Sequence, residues 1–309
     1  MKRRIAALLV LMLLLSGCAM QKAPETTATP PPPEGMELSE STLKRREDIH
    51  ALLICAVGYD EEGHSKLTSL NVLVLDEQND ISLLTIPKDT RVTVEQYDEA
   101  GSYQYSYYGA ISDVYYAAQS AHLGEKKTME AVSSLLGGVR LDHYVMLNVV
   151  QLEQLVEKNG NLMIMVEDSI AEYGIPEGFQ NIAPKVRAFA SYSYLNSLGG
   201  VEYAGTDPYK LQRHQLLIRT LMSTSARKTQ AMTNEEKHEY VQGLLQCVTT
   251  DMTAEDMLVW LEDEELNFGD VGILKGQKNE RRNESYWIHD QNALKDWVLA
   301  KFYLTDDIE

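Results

Sequence analysis

The stretch Ile81-Ser82-Leu83-Leu84-Thr85-Ile86-Pro87-Lys88-Asp89-Thr90 decides the fold. Ile81 to Ile86 carries no charge and is rich in branched side chains, which is the pattern of a strand buried on both faces. Pro87 has no N–H to give to a ladder, so pairing stops there and the chain turns out, leaving Lys88 and Asp89 at a strand end. Loops at strand ends are where proteins usually place binding groups. Upstream, Asn71 to Leu75 reads as a second strand, and the polar link Asp76 to Asp80 makes the two a hairpin. Further upstream, His50 to Val57 is a short, continuous apolar run that ends at Gly58, a third buried strand.

Working outward, helical and extended patterns alternate. Ser112 to Ala121 and Lys127 to Leu136 have helical spacing, with Gly137-Gly138 as a stop. His143 to Val149 and Leu162 to Val166 read as strands around a helix from Val150 to Lys158 that Asn159-Gly160 ends. Lys185 to Leu195 and Tyr209 to Ser223 read as helices separated by a loop from Gly199 to Pro208. Helices over Glu235 to Val248, Ala254 to Leu261 and Gln291 to Phe302, and a late strand from Val271 to Lys275, complete the chain. The class is α/β, a mixed central β-sheet flanked by helices on both faces. Tyr103, Tyr105, Tyr107 and Tyr108 alternate as an amphipathic strand would, and could also line a sugar-binding surface by stacking.

The N-terminal segment is of another kind. Lys2, Arg3 and Arg4 precede an unbroken apolar run from Ile5 to Leu15, and Ser16-Gly17 leads into Cys18. Eleven apolar residues are too few to span a hydrocarbon core of roughly 30 Å as a permanent helix. Residues 1–17 are therefore expected to be a signal peptide. Leu15-Ser16-Gly17-Cys18 looks like the lipobox of bacterial lipoproteins, which implies a lipid on Cys18; the plainer alternative is a cleaved signal with an incidental cysteine. Residues 18–48 form a membrane-proximal linker, semi-stiff around Thr29 to Pro33 with its four consecutive prolines. Lys44-Arg45-Arg46 at its end is a solvated charge cluster or a contact for anionic headgroups. The patterned domain is placed at residues 49–305. The expected location is the extracytoplasmic face of a bacterial cell membrane, with the lipid on Cys18 as anchor.

The 309-residue chain has 28 basic and 46 acidic residues, a net charge of −18. Loss of Lys2, Arg3 and Arg4 with the signal deepens that excess, which argues against nucleic acid and against broad adhesion to anionic lipid. Besides Cys18 there are only Cys55 and Cys247, both in apolar settings, read as two buried free thiols in preference to a disulfide. Zinc-type Cys/His spacings, a Walker loop, a dinucleotide fingerprint and a Gly-x-Ser-x-Gly elbow are all missing from the sequence.

The order of segments from about Leu52 to Phe302 resembles the LytR-CpsA-Psr family. The stretch from Ile81 to Thr90 is similar to that family's I-S-L-L-S-I-P-R-D-T. Leu141-Asp142-His143-Tyr144-Val145 with its following helix, Asp207 to Gln215 (similar to D-x-x-R-x-x-R-Q-Q) and Tyr286-Trp287-Ile288 follow in the family's order. The resemblance implies an α/β/α domain that moves a glycopolymer from a polyprenyl-pyrophosphate carrier to peptidoglycan. Such a leaving group needs cations on its oxygens, and the prenyl tail needs an apolar pocket. Carried over by residue, the resemblance puts a divalent metal, taken as Mg²⁺, on Asp60 of Gly58-Tyr59-Asp60. Lys88, Asp89 and Arg213 become the catalytic set, and Lys66, Lys210 and Asp207 the substrate-binding set. The family's R-S-D element reads Lys66-Leu67-Thr68, so a second metal carboxylate is missing, and an R-x-R pair falls near Ser193 and Leu195 with neither arginine present. Lysine keeps charge but loses the planar two-pronged fork of arginine. Two functions follow: a weakened phosphotransferase, or a catalytically inactive lipoprotein that keeps the fold to bind a lipid-linked glycan or to partner an active paralogue. Asp207 before Pro208 also reads as a helix cap, Arg213 as a salt-bridge partner, and Lys88 with Asp89 as a surface ion pair.

Overall fold

The computed structural model describes residues 43–59, 62–166, 174–189, 208–281 and 284–304. The signal segment, Cys18 and nearly all of the Pro-rich linker lie outside the described residues, and no described helix is long and apolar enough to cross a membrane. The strands are β1 (His50–Tyr59), β2 (Ser65–Leu75), β3 (Asp80–Ile86), β4 (Arg91–Tyr97), β5 (Tyr103–Ala110), β6 (His143–Leu147), β7 (Met163–Val166), β8 (Gly178–Asn181), β9 (Thr249–Thr250), β10 (Asn267–Ile273), β11 (Gly276–Arg281) and β12 (Glu284–His289). The helices are α1 (Val114–Ala117), α2 (Ala121–Leu135), α3 (Val149–Asn159), α4 (Pro208–Gln230), α5 (Asn234–Leu245), α6 (Ala254–Val259) and α7 (Gln291–Phe302), with a short 3₁₀ turn, Ile111–Asp113, leading into α1.

Six strands form the central sheet in the order β10-β3-β2-β1-β6-β9. The expected hairpin is β2–β3, in which Leu70 faces Ile86 and Leu75 faces Ile81. β1 lies antiparallel to β2 and parallel to β6, and β10 lies parallel to β3, so β1, β3, β6 and β10 all point the same way. The period-two alternation of the strands sorts their side chains into two cores. Leu53, Val72, Leu84 and Met146 pack on one face with Val132 of α2 and Val298 and Phe302 of α7. Leu52, Leu73, Leu83 and Val145 pack on the other with Ile218 of α4 and Trp260 just after α6. The result is the expected sheet between two helical layers. Asn148 with Gln151, Thr233 with Glu236, and Thr253 with Asp256 close reciprocal capping boxes that fix where α3, α5 and α6 begin.

Some local readings shift. Ser112 to Ala121 is a 3₁₀ turn and a single helical turn, and Ser120 then caps α2. The tyrosine run does form a strand, β5, but it buries neither row: residues Tyr103 to Tyr108 are all exposed. β5 is one half of a two-stranded ribbon, and burial falls to its partner β4 through Val92, Val94 and Tyr97. β11–β12 is a second such ribbon, and its charged sequence carries no strand alternation to read. Lys44, Arg45 and Arg46 run beside the end of α7: the Arg46 N–H donates to the Phe302 carbonyl at 3.0 Å and the Leu304 N–H to Lys44 at 2.9 Å. Cys55 and Cys247 are buried free thiols, and burial raises both above the ordinary thiol value, with Lys158 opposing the rise at Cys247.

Candidate functional site

Because four strands of the sheet point one way, their carboxyl ends share one edge, the usual place for a ligand in an open α/β sheet. Pro87, Lys88, Asp89 and Thr90 form a tight turn there. The Thr90 N–H donates to the Pro87 carbonyl at 2.9 Å, and the Thr90 hydroxyl donates to the same carbonyl at 2.6 Å. The turn is held from outside as well. Ser112 N–H donates to the Lys88 carbonyl at 3.0 Å and Trp287 N–H to the Asp89 carbonyl at 2.9 Å. Trp287 is fixed in turn by its indole N–H on the Leu274 carbonyl at 3.1 Å. A side chain at Gly276 would sit 2.4 Å from the Ile288 carbonyl oxygen and 2.7 Å from that indole nitrogen, so only glycine allows this approach.

Asp89 is largely buried, and its Oδ2 has no hydrogen-bond partner among the described residues. Burial raises its carboxyl above the usual carboxylate range. Lys88 opposes that rise, Asp113 adds to it, and Lys278 and Lys66 oppose it. Those causes define the cluster: two carboxylates and three lysines gathered from β2, the turn after β3, the 3₁₀ turn and β11. Lys66 pairs with Asp113 at 3.2 Å. Three of the residues expected from sequence, Lys66, Lys88 and Asp89, are thus brought together. Asp113 and Lys278 join them unforeseen, since nothing local in the sequence marks either one.

Arg91 is the other unforeseen member, although it stands two residues after Asp89. It is only 6% exposed, with its guanidinium 5.3 Å from the Tyr108 ring centroid and 5.6 Å from that of Tyr286. Its Nε and one Nη have no hydrogen-bond partner among the described residues. Tyr107 lies beside this group: burial pushes its hydroxyl up to about 12, with Asp113, Tyr105 and Tyr286 adding to the rise.

Arg213 and Lys210 stand on α4, whose first residue is Pro208, the position proline favours. The Lys210 side chain, Asp207, Asp60 and the segment holding Ser193 and Leu195 lie outside the described residues. Arg213 is half-buried and is not among the charges acting most strongly on Asp89. Two residues on, the Gln215 amide ties α4 to the sheet, donating to the Thr85 hydroxyl at 2.9 Å and the Gly272 carbonyl at 2.8 Å. Thr85 donates to Asn71 at 2.8 Å and Asn71 to Ser69 at 2.8 Å, a buried polar chain running from α4 across β3 and β2.

That chain ends in an apolar cavity of about 110 Å³ between the sheet and the helices α3 to α6. Ile54, Ala56 and Leu147 line its sheet side, Leu217, Leu221 and Met222 its α4 side, and Ser69 and Asn71 are among its few polar walls.

A divalent cation fits the described residues poorly. They contain no group of three or more His, Cys, Asp or Glu side chains arranged to hold a metal. Lys88, Lys278 and Lys66 already act as positive charges on Asp89, and Lys66 is paired with Asp113. Thr68, where a second metal carboxylate would stand, is buried, donates its hydroxyl to the Ala56 carbonyl at 3.3 Å and presses its methyl toward Gly58.

Comparison by sequence with curated proteins finds no match. Solved structures do match in fold. TagV of B. subtilis is 16% identical with a TM-score of 0.61, over 83% of this chain and 98% of that one. TagT bound to LI-WTA is 14% identical with a TM-score of 0.59, over 86% and 98%. The LytR-CPS2A-psr family protein YwtF (TagT) with bound octaprenyl pyrophosphate lipid is 13% identical with a TM-score of 0.55, again over 86% and 98%. At such identities the likeness is one of fold. The model of the LytR_cpsA_psr family matches residues 33–299, most of the chain, and the protein belongs to that family.

Proposed function

We propose that this protein binds a polyprenyl-pyrophosphate-linked glycan, with the diphosphate at the carboxyl edge of the sheet and the prenyl tail in the cavity beneath it. The observation that carries this reading is the lysine cluster of Lys66, Lys88 and Lys278 around Asp89, at the end of the strand that carries the polar chain to the cavity wall. Ammonium groups act as point charges on phosphate oxygens, and an apolar cavity offers prenyl carbons a place out of water. The bound octaprenyl pyrophosphate of the YwtF structure supports the same ligand class. A lipid on Cys18 would hold the domain on the outer face of a bacterial cell membrane, within reach of such a carrier.

Transfer to peptidoglycan is the second reading, favoured by the raised carboxyl of Asp89. An acceptor hydroxyl would lose its proton to Asp89 as its oxygen attacks the sugar-bearing phosphorus. The bond to the bridging oxygen breaks, and polyprenyl phosphate leaves. Replacing arginine forks by lysines weakens stabilisation of that transition state more than it weakens binding, so binding stands first.

The test uses octaprenyl pyrophosphate in detergent micelles, with binding and cleavage of the phosphoanhydride bond both measured. Lys88→Ala should lower affinity roughly tenfold, as loss of one charge-assisted contact does. Affinity unchanged in Lys88→Ala and Lys66→Ala alike would sink the binding reading. Anhydride cleavage above the Asp89→Asn control, run with and without Mg²⁺, would show that the edge breaks the bond that transfer requires and whether the Mg²⁺ expected on Asp60 takes part.

A further inference from the structure

We infer that β5 is an assembly edge, and that a second copy of this chain pairs with it strand to strand. Among the described residues β5 has one neighbour in its sheet, β4. The chain entering β4 is bridged on its far side, Thr90 to Trp287 of β12, so the open edge of the ribbon is β5. The Ile111 N–H donates to the Thr90 carbonyl at 2.8 Å, and that bond fixes which way the backbone of β5 faces. Bonded pairs recur at every second residue of an antiparallel ladder. Tyr105, Tyr107 and Gly109 therefore bond to β4, while Ser106 and Tyr108 turn their N–H and C=O outward. The one irregularity of the ladder, between Gln96 and Tyr97, lies toward the hairpin tip and leaves this stretch regular.

Two properties of the strand select a second copy as its partner. The first is charge. From Gly101 to Ser112 there is no Asp, Glu, Lys or Arg, in a chain whose net charge is −18. Two copies repel wherever their acidic surfaces meet, and along β5 they can approach without that penalty. Edge strands are commonly protected by charge, proline or a covering element, yet Tyr103 to Tyr108 carry neither charge nor proline and are all exposed. The second property is self-complementarity. Antiparallel pairing about a two-fold axis at Ser106 joins the Ser106 N–H of each copy to the Ser106 carbonyl of the other. It also sets Tyr105 of each copy opposite Tyr107 of the other. Within one chain those two rings already lie with centroids 6.2 Å apart, so pairing extends them into a row of four tyrosines. The same axis sends the two hairpin tips, each bearing Asp98 and Glu99, to opposite ends of the pair.

Sedimentation velocity on the signal-free protein, from roughly 1 to 200 μM, should show a monomer–dimer equilibrium, weak because one strand edge is a small interface. Ser106→Pro removes an N–H that β4 does not use, and with it both symmetric bonds. It should raise the dissociation constant of the dimer about tenfold or more, while Ser106→Ala, which keeps the backbone donor, dimerises as the parent does. Tyr105→Lys leaves the backbone intact and adds two like charges to the shared row, so it should weaken the dimer more at low salt than at high salt. Thermal unfolding of each variant tells loss of the dimer from loss of the fold, and Tyr105→Lys carries the test if the proline variant unfolds early. A protein that is monomeric throughout, or a dimer that Ser106→Pro and Tyr105→Lys leave intact, overturns the inference. A monomer whose exposed tyrosines bind an added glycan overturns it equally.

Discussion

Filling the cavity should make the protein more stable and a worse lipid binder. The void of about 110 Å³ lies against Met222 and Leu221 on α4. At about 24 cal/mol per Å³, a void of that size corresponds to ~2.6 kcal/mol of forgone stability. Met222→Trp projects an indole into it from a helix face otherwise occupied by Leu217, Ile218 and Ser225. If half the space is filled, the gain is about 1.3 kcal/mol, or a Tm rise of roughly 3–5 °C for a domain of this size. The same indole excludes prenyl carbons. Each methylene-sized group kept out forfeits ~0.8 kcal/mol, so one isoprene unit is worth roughly 4 kcal/mol and about a thousandfold in affinity. Thermal unfolding and titration with octaprenyl pyrophosphate measure the two effects on one sample. A variant with a raised Tm and undiminished affinity would refute the assignment of the tail to this cavity. If Met222→Trp overpacks and lowers Tm, Leu155→Phe enters the same space from α3 and repeats the test.

Two further outcomes follow from the buried polar groups. Asp89→Asn removes a desolvated charge and should raise Tm at pH 7. The Asp89 carboxyl is raised in the fold, so its ionisation penalty is full above the folded value and vanishes below the unfolded one; the gain in thermal unfolding must therefore shrink toward pH 4. A gain independent of pH would point to some other cause. Gln215→Leu strands the Gly272 carbonyl and one acceptor position on Thr85, a loss of about 2 kcal/mol read as a lower urea midpoint at unchanged slope. An unaltered midpoint would mean that water replaces the amide.

The parts of this fold that could be read from sequence are those whose burial is symmetric. Ile81 to Ile86 is apolar on both sides because both helical layers cover it, so its strand character and its end at Pro87 are written locally. β11 and β12 answer to a different rule. Their residues meet solvent and each other, and Gly276 to Glu284 holds mostly polar side chains, so no period marks the hairpin. β5 misled for a related reason: its tyrosines alternate, but those on both of its rows stay exposed. In the site, Lys66, Lys88 and Asp89 were legible because the family motif carries them. Asp113 was not, since its ion-pair partner Lys66 stands 47 residues away in sequence. Arg91 could have been found: an arginine opening a strand two residues after the turn is an unusual charge to bury, and the tyrosines that flank it were already in view.

The strand ends also set what kind of catalyst this edge could be. A metal and arginine forks supply directional contacts that tighten as charge builds on a leaving group, whereas hydrated ammonium groups bind a resting diphosphate and its transition state more nearly alike. Position 68 bears on the same choice. Its threonine is buried and turned to the backbone, with its hydroxyl on the Ala56 carbonyl and its methyl beside Gly58. The Lys66–Asp113 pair places cation and carboxylate in contact at 3.2 Å. Lysine at position 88 keeps positive charge while giving up the fork of arginine, and threonine at position 68 gives up a charge outright. Under the binding reading proposed above, uniform attraction of that kind would hold a diphosphate more than it would help to break one.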